Sequence, residues 1–350
     1  MKEIIYISLP KNISFSVFEA LKRHTTLFER SNKNIIYLSR NKEISDERIV
    51  YFNSWYEILK FLAKQKHGDF YGITVFEVLL GTLSNLFGNK KIIIFWVQGL
   101  VDHEDFLSYK VKWRYWLFNM LLKIAIKCSD KLVVVTKNMF TILVNQYSCK
   151  PSKKHIVINC TSRVNFSNAK KIEKSLCYIG GLSSWQNIDK VLSLFNELLN
   201  SSKHYSLHIA TFDHVKAKEL IYRYVEQDKR NRVTLVNVRT SLEVEDFLSK
   251  MEYGFLIRDN ILLNNVASPI KLAEYLACGV NPIISDSLVE FKDLILDYDC
   301  GIVIENENNH QAILKLLEHK TNSKNAINLY NTFFTRKSLD MEIRTFLNDN

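Results

Sequence analysis

Short apolar runs alternate with stretches of helical period along the whole chain. In the first half, strands are predicted over Lys2–Leu9, Lys33–Ser39, Ile49–Phe52, Asp69–Ile73, Lys91–Val97, Lys131–Thr136 and His155–Asn159. Helices are predicted between them over Ser16–Ser31, Ser54–Lys66, Val75–Phe87, about Ser108–Cys128 and Met139–Tyr147. Runs such as IIIF and LVVV are apolar at consecutive positions, as strands covered on both faces should be. Strand–helix alternation of this kind predicts a parallel sheet with helices on both sides.

Residues 161–174, TSRVNFSNAKKIEK, are polar and aperiodic and read as a linker. The pattern then restarts. Strands are predicted over Ser175–Ile179, Ser206–Ala210, Val233–Val236, Tyr253–Ile257, Asn281–Ser285 and Gly301–Ile304. The intervening helices are Trp185–Leu199, His214–Gln227, Leu242–Lys250, Ile270–Cys278, Val289–Leu296 and His310–His319, and the tail Asn325–Leu347 reads as helical with a break near Thr335. The expectation is α/β: two doubly wound domains, 1–165 and 166–330, with the ligand site in the cleft between them at the C-terminal strand ends.

Composition narrows the class. The 350 residues suit about two domains, and 47% hydrophobic content excludes wholesale disorder. The net charge of +10 is uneven: residues 1–165 hold 25 Lys/Arg against 13 Asp/Glu (+12), and residues 166–350 hold 22 against 24 (−2). A basic first half suits an anionic partner, such as a phosphorylated substrate or anionic lipid. With no recognised nucleic-acid motif and no basic tail, nucleic acid is not expected as a partner. The six cysteines form no CxxC pair and read as free thiols in a reducing compartment. The N-terminus has no long apolar core, and no run reaches the roughly 18 apolar residues of a membrane span. The expected location is cytoplasmic, peripheral at the inner face of the cytoplasmic membrane.

The densest chemistry lies in YGFLIRDNILLNNVASPIKLAEYLACGVNPIIS, residues 253–285. A buried strand ends in Arg258–Asp259, and a polar loop with Asn264 and Asn265 follows. Ser268 is a good N-cap, Pro269 suits the first turn and Gly279 suits the position after the last turn. A helix opening at a strand's C-terminal end offers free N–H groups to an anion. Lys271 in the first turn opposes the helix dipole, which makes sense if it faces a phosphate. The plainer reading is an exposed Lys271–Glu274 pair at i,i+3.

Here the chain resembles the nucleotide-sugar-binding segment of GT-B fold glycosyltransferases, most closely glycosyltransferase family 4. Supporting likenesses are SLCYIGGLSSWQNIDKVLSLF, VNVRTSLEVEDFLSKMEYGFLIRDN, IIIFWVQGLVDHEDF, CSDKLVVVTKNMFTILVNQY and the tail NTFFTRKSLDMEIRTFL. The resemblance implies two Rossmann-like domains facing across a cleft, with residues 331–350 packing back on the first. It implies that Glu274 holds the donor ribose, that the turn Ser268–Lys271 faces the diphosphate, and that Gly180 and Gly181 form the glycine loop. Val238 is then a base contact and Asn265 a donor contact. Two departures stand out. The first Glu of the family's paired-Glu motif is replaced by Val266, and the usual diphosphate-binding Arg and Lys align with Gly181 and Gln186. Arg258 and Lys271 are expected to replace those charges.

On the acceptor side, Gln98, Gly99 and the cluster Asp102–Asp105 follow the strand Lys91–Val97. His103 or Glu104 there could orient or deprotonate an acceptor hydroxyl, a role that contributes roughly 10²–10⁴-fold in rate; a solvated acidic loop is the plainer reading. Asp297–Tyr298–Asp299 spells DxD but reads as a surface turn, and the resemblance implies no metal and no cofactor. The helix near 108–128 mixes Lys110, Lys112, Arg114, Lys123 and Lys127 with Trp113, Trp116 and Phe118, which suits a bilayer surface or an amphipathic core helix. The resemblance implies retaining sugar transfer from a nucleotide-diphosphate sugar, UDP-sugar before GDP-sugar, to a glycan or lipid-linked acceptor in lipopolysaccharide or capsule synthesis. A non-catalytic subunit supporting a partner transferase and a UDP-sugar epimerase are the competing readings.

Overall fold

The computed structural model describes residues 3–13, 15–164, 169–305, 309–335 and 338–348. The chain divides into two compact units, Met1–Asn159 with Lys337–Asn350, and Cys160–Arg336.

The first unit holds seven parallel strands: β1 (Glu3–Ser8), β2 (Lys33–Ser39), β3 (Ile49–Tyr51), β4 (Asp69–Gly72), β5 (Ile93–Val97), β6 (Lys131–Val134) and β7 (Lys154–Val157). Their order is β3-β2-β1-β4-β5-β6-β7. β5 and β6 are buried at every position, as the apolar runs Ile93–Val97 and Leu132–Val134 predict, and β6 buries Lys131 at its start as well. The helix Ser338–Asn348 belongs to this unit and adds Leu339, Ile343, Phe346 and Leu347 to its core. Lys131 Nζ donates to the carbonyls of Phe346 (2.9 Å) and Leu347 (3.0 Å), the end of the helix where a cation is favoured.

The second unit holds six parallel strands: β8 (Ser175–Ile179), β9 (Ser206–Ala210), β10 (Val233–Val236), β11 (Tyr253–Leu256), β12 (Asn281–Ser285) and β13 (Ile302–Ile304). Their order, β10-β9-β8-β11-β12-β13, reverses direction between β8 and β11, the switch point where doubly wound sheets bind ligands. The helix Ile270–Ala277 lies close on β11: a Cβ at Gly254 would come within 2.7–2.8 Å of the fully buried Tyr275 ring. The helix ends with Gly279 N–H on Leu276 O (3.1 Å) and Val280 N–H on Tyr275 O (2.9 Å), a Schellman closure made possible by Gly279 at φ +64°.

Three readings need correction. The expected helix Ser108–Cys128 is two helices, Val101–Tyr109 and Lys112–Cys128. Lys110 is left-handed (φ 57°), and Arg114 clasps Asp105 across the break at 2.9 and 2.5 Å. The supposed acidic loop after β5 is therefore helical. The expected helix Trp185–Leu199 begins later, at Ile188, because the left-handed Asn187 separates it from the 3₁₀ turn Ser184–Gln186. Ser268 is not the N-cap; Pro269 is, and the Ser268 hydroxyl accepts the Cys160 N–H at 3.0 Å.

The polar linker is tied to the second unit where it is described. Ile172 N–H bonds Lys250 O, Lys174 N–H bonds Glu252 Oε2 and Lys171 Nζ bonds Cys278 O. Residues 165–168 of it lie outside the described residues. All six cysteines are free. Among the described residues no helix is long and apolar enough to cross a membrane.

Candidate functional site

β8 ends in Gly180–Gly181, and beside it β11 runs out into Arg258–Asp259. The Arg258 backbone is clamped from β12 and the turn after it: its N–H donates to Ser285 Oγ (2.8 Å), and Ser287 Oγ donates to its carbonyl (3.0 Å). Arg258 is 8% exposed, and its guanidinium donates to Trp185 O (2.7 Å) and to Gln186 Oε1 (2.8 Å). The adjacent Asp259 turns away, held by Lys190 (2.6 Å) and Asn187 Nδ2 (3.0 Å).

Lys271 reaches the same point from the first turn of its helix. Its Nζ donates to Gln186 Oε1 at 2.7 Å and lies 4.5 Å from the Tyr178 ring centroid. Gly180 permits this, because a Cβ there would stand 2.6 Å from both Cε and Nζ. Gly180 also has φ +130°, which L side chains rarely adopt. Burial pushes the Lys271 ammonium down to about 7; the nearby Arg258 charge acts in the same direction and Glu274 opposes them. Around Gly181 a Cβ would meet nothing within 4 Å, so its backbone borders open space.

Glu274 is buried, with 1% exposure, and does not form an exposed pair with Lys271. Its Oε1 lies 2.5 Å from Arg163 Nε. The contact is one of charge, since the geometry is too poor for a hydrogen bond. Val266, at the place of the missing Glu, is fully buried. Asn265 closes the short helix Leu262–Asn265, while Asn264 is buried and donates to Asp259 O (2.9 Å). Val238 packs into the core with Val244 and Phe247, which leaves only its backbone for recognition. The DxD run ends the helix Val289–Asp297, with Asp299 left-handed at φ 46°.

In the first unit, Gln98 Nε2 donates to Ile73 O (3.4 Å), and the Glu104 carboxylate lies in the space a Cβ at Gly99 would occupy. Burial, aided by the Asp102 charge, raises the Glu104 carboxyl above its ordinary range. The His103 ring meets Tyr115 edge to face at 5.4 Å. Asp102 is fully buried and satisfied by Tyr147 OH (2.8 Å), Asn119 Nδ2 (2.7 Å) and the His103 N–H (2.9 Å), an arrangement that anchors the helix.

Gly180, Arg258, Lys271 and Glu274 are thus gathered in the second unit. The sequence reading missed Gln186 as the shared acceptor, Tyr178 under Lys271, and Arg163. Arg163 sits in a linker with no periodicity, and nothing in its neighbourhood signalled a carboxylate partner. Removing it with Arg163→Ala strips the cation from a buried carboxylate and should destabilise the protein by about 1–3 kcal/mol. In urea unfolding, the loss in Arg163→Ala/Glu274→Gln should be smaller than the sum of the losses in the two single variants; additive losses would show that the pair is not coupled.

Residues 162–331 match the family described as glycosyl transferases group 1. No curated protein matches at a significant level. Solved structures similar over nearly the whole chain include the apo form of the lipopolysaccharide outer core galactosyltransferase WaaB, 14% identical with TM-score 0.70, covering 98% of each chain. Another is Anabaena HepE in complex with UDP-glucose, 12% identical with TM-score 0.69, covering 99% of each. A third is sucrose-phosphate synthase from Thermosynechococcus elongatus, 12% identical with TM-score 0.70, covering 99% of this chain and 98% of that one. Likeness at this identity carries the fold, while the switch-point residues carry the chemistry. The chain has the GT-B fold, is similar to glycosyltransferases of the family 4 kind, and bears a group 1 glycosyl transferase domain in its second unit.

Proposed function

We propose that the chain transfers a sugar from a nucleoside-diphosphate donor, a UDP-sugar before a GDP-sugar, to a glycan or lipid-linked acceptor of a cell-surface polysaccharide. The observation that carries this reading is the meeting of Arg258 and Lys271 on the Gln186 oxygen beside Gly180. A diphosphate seated there takes the place of the amide oxygen as partner to two cations. Charge builds on the leaving diphosphate as the glycosidic bond breaks, and preorganised cations stabilise it most at that stage. Glu274, three residues beyond Lys271 on the helix, receives the ribose hydroxyls once Arg163 gives way. His103 and Glu104 are the groups proposed to orient the acceptor hydroxyl, with Gln98 and Gly99 beside them. WaaB, named for lipopolysaccharide outer core synthesis, supports the polysaccharide setting, and the family resemblance supports retention.

A non-catalytic role is favoured by one feature: Val266 fills the place of the missing Glu and is wholly buried. A thermal-shift panel of UDP, GDP, CDP, ADP and their sugars separates the readings. One nucleotide sugar at 100 times its Kd should stabilise the wild type by about 2.7 kcal/mol and Glu274→Ala far less. Binding followed by turnover with lipid-linked acceptors supports transfer; binding without turnover supports the subunit role, and silence across the panel removes the donor reading.

Lys271 sets a pH dependence. A bound diphosphate raises its pKa above the free value of about 7, so binding takes up a proton above that pH. UDP-sugar affinity, measured by calorimetry, should fall by up to about tenfold per unit above pH 7. Lys271→Met should flatten that slope and weaken binding at pH 7; an unchanged slope would remove Lys271 from the donor site.

We also propose that the helix Lys112–Cys128 lies on an anionic bilayer. Trp113, Trp116, Leu117, Met120 and Ile124 follow helical spacing and are all exposed, with Lys112, Lys123 and Lys127 on the same helix. Trp113→Ser/Trp116→Ser should abolish most sedimentation with phosphatidylglycerol vesicles; undiminished pelleting would locate the contact elsewhere.

A further inference from the structure

A doubly wound sheet binds its ligand outside the C-terminal strand ends, at the point where the strand order reverses. In the first unit the order β3-β2-β1-β4-β5-β6-β7 reverses between β1 and β4. Two charged side chains that the donor chemistry does not use flank that point. Arg40 follows the last residue of β2, and Glu77 lies in the first turn of the helix Val75–Phe87, which follows β4. β2 and β4 are each one strand away from β1, so their ends stand about 9.6 Å apart. The Arg40 side chain covers enough of that gap for its charge to act on the Glu77 carboxyl. The turns concerned are laced together. Leu9 N–H donates to Leu38 O (2.9 Å) and Asn41 Nδ2 to Ile13 O (3.2 Å). Gln98 Nε2, donating to Ile73 O, joins the turn after β4 to the acceptor-side turn after β5.

Both groups have bonding capacity left over. Arg40 Nε is buried and has no hydrogen-bond partner among the described residues. A buried N–H without an acceptor is costly, and native structures keep few of them. Glu77 is 6% exposed. One of its oxygens accepts the Thr74 hydroxyl, which caps no backbone N–H of the helix. Burial pushes the Glu77 carboxyl up to about 7, against the pull of its own N–H and of the Arg40 charge. A carboxylate can accept at about four lone-pair sites, and a guanidinium presents its donors as a fixed fork. A fork of donors beside a carboxylate, with the two charges offsetting, suits neither a cation nor an anion. It suits neighbouring hydroxyls, each of which both donates and accepts.

We propose that Arg40 and Glu77 hold two neighbouring hydroxyls of a neutral sugar, the acceptor of the transfer. Arg40 donates to one hydroxyl oxygen, and Glu77 accepts from the other hydroxyl. The sugar then lies one strand from the turn that leads to His103 and Glu104, the groups proposed to orient the reacting hydroxyl. Only the sugar's role as acceptor rests on the transfer reading; its binding does not.

Saturation-transfer NMR on the wild-type protein tests this, with methyl glucoside, methyl galactoside and methyl mannoside as probes and inorganic phosphate as the anionic control. At least one glycoside should bind, and phosphate should not displace it. Arg40→Gln and Glu77→Gln should each weaken that glycoside about tenfold or more. Thermal stabilisation by the nucleotide sugar should stay at the wild-type level in both. In the wild type, the bound glycoside should slow modification of Arg40 by phenylglyoxal, read by mass spectrometry, and this decides the matter even if a variant fails to fold. Silence from every glycoside, unweakened binding in the two variants, unchanged Arg40 modification, or displacement by phosphate that Arg40→Gln abolishes would overturn the proposal. Glycoside binding with no response to any nucleotide keeps the sugar site and removes the transfer reading; the reverse result removes the sugar site alone.

Discussion

Two cations that donate to one amide oxygen lie within about 5.5 Å of each other. Their repulsion is on the order of 3 kcal/mol at an effective dielectric of about 20. The second unit is arranged around that constraint. Ser285 and Ser287 fix the Arg258 backbone, Trp185 takes one end of its guanidinium, and the Gln186 oxygen stands between the charges. The Lys271 chain occupies the space a Cβ at Gly180 would take, and the φ of +130° at Gly180 is one that L side chains rarely adopt. Lys271 is pushed down in pKa by the same crowding, so its charge is poised to respond to an incoming anion.

The helix that carries Lys271 can be placed this well because it is fixed at both ends and along its inner face. Tyr275 presses on Gly254 of β11, and the Schellman closure at Gly279 ends the helix within eight residues. The linker completes the arrangement. The Cys160 N–H just before it donates to the Ser268 hydroxyl oxygen, and its Arg163 meets Glu274. A ribose reaching Glu274 therefore competes with the linker for the same carboxylate, which ties donor binding to the segment that joins the two units in sequence.

The first unit uses its charge differently at its two ends. Near the C-terminal end of β5, Asp102 is consumed by Tyr147 and Asn119, and this fixes the helix that carries His103 and Glu104. At the N-terminal ends of β5 to β7 the positive charge is concentrated instead, and Lys91, Lys131 and Lys153 there donate to backbone carbonyls. The excess of basic residues in the first half is thus partly a local feature of one sheet edge.

The sequence by itself determined the alternation of strands and helices, because a strand buried on both faces must be apolar at consecutive positions and a covering helix must keep its period. It also marked the segment 253–285, since Gly279 and the strand–loop–helix order are local signals. It could not show the break at Lys110 or the shift at Asn187, where non-glycine residues take left-handed conformations that carry little sequence signature. Nor could it show that Ser268 serves Cys160 and not the helix, or that Arg163 faces Glu274 across more than a hundred positions. Gln186 looked like a lost cation; only the fold revealed it as the acceptor shared by two cations from other elements. Such pairings depend on which strand ends the sheet brings side by side, and strand order is a property of the whole packed chain and not of any window of sequence.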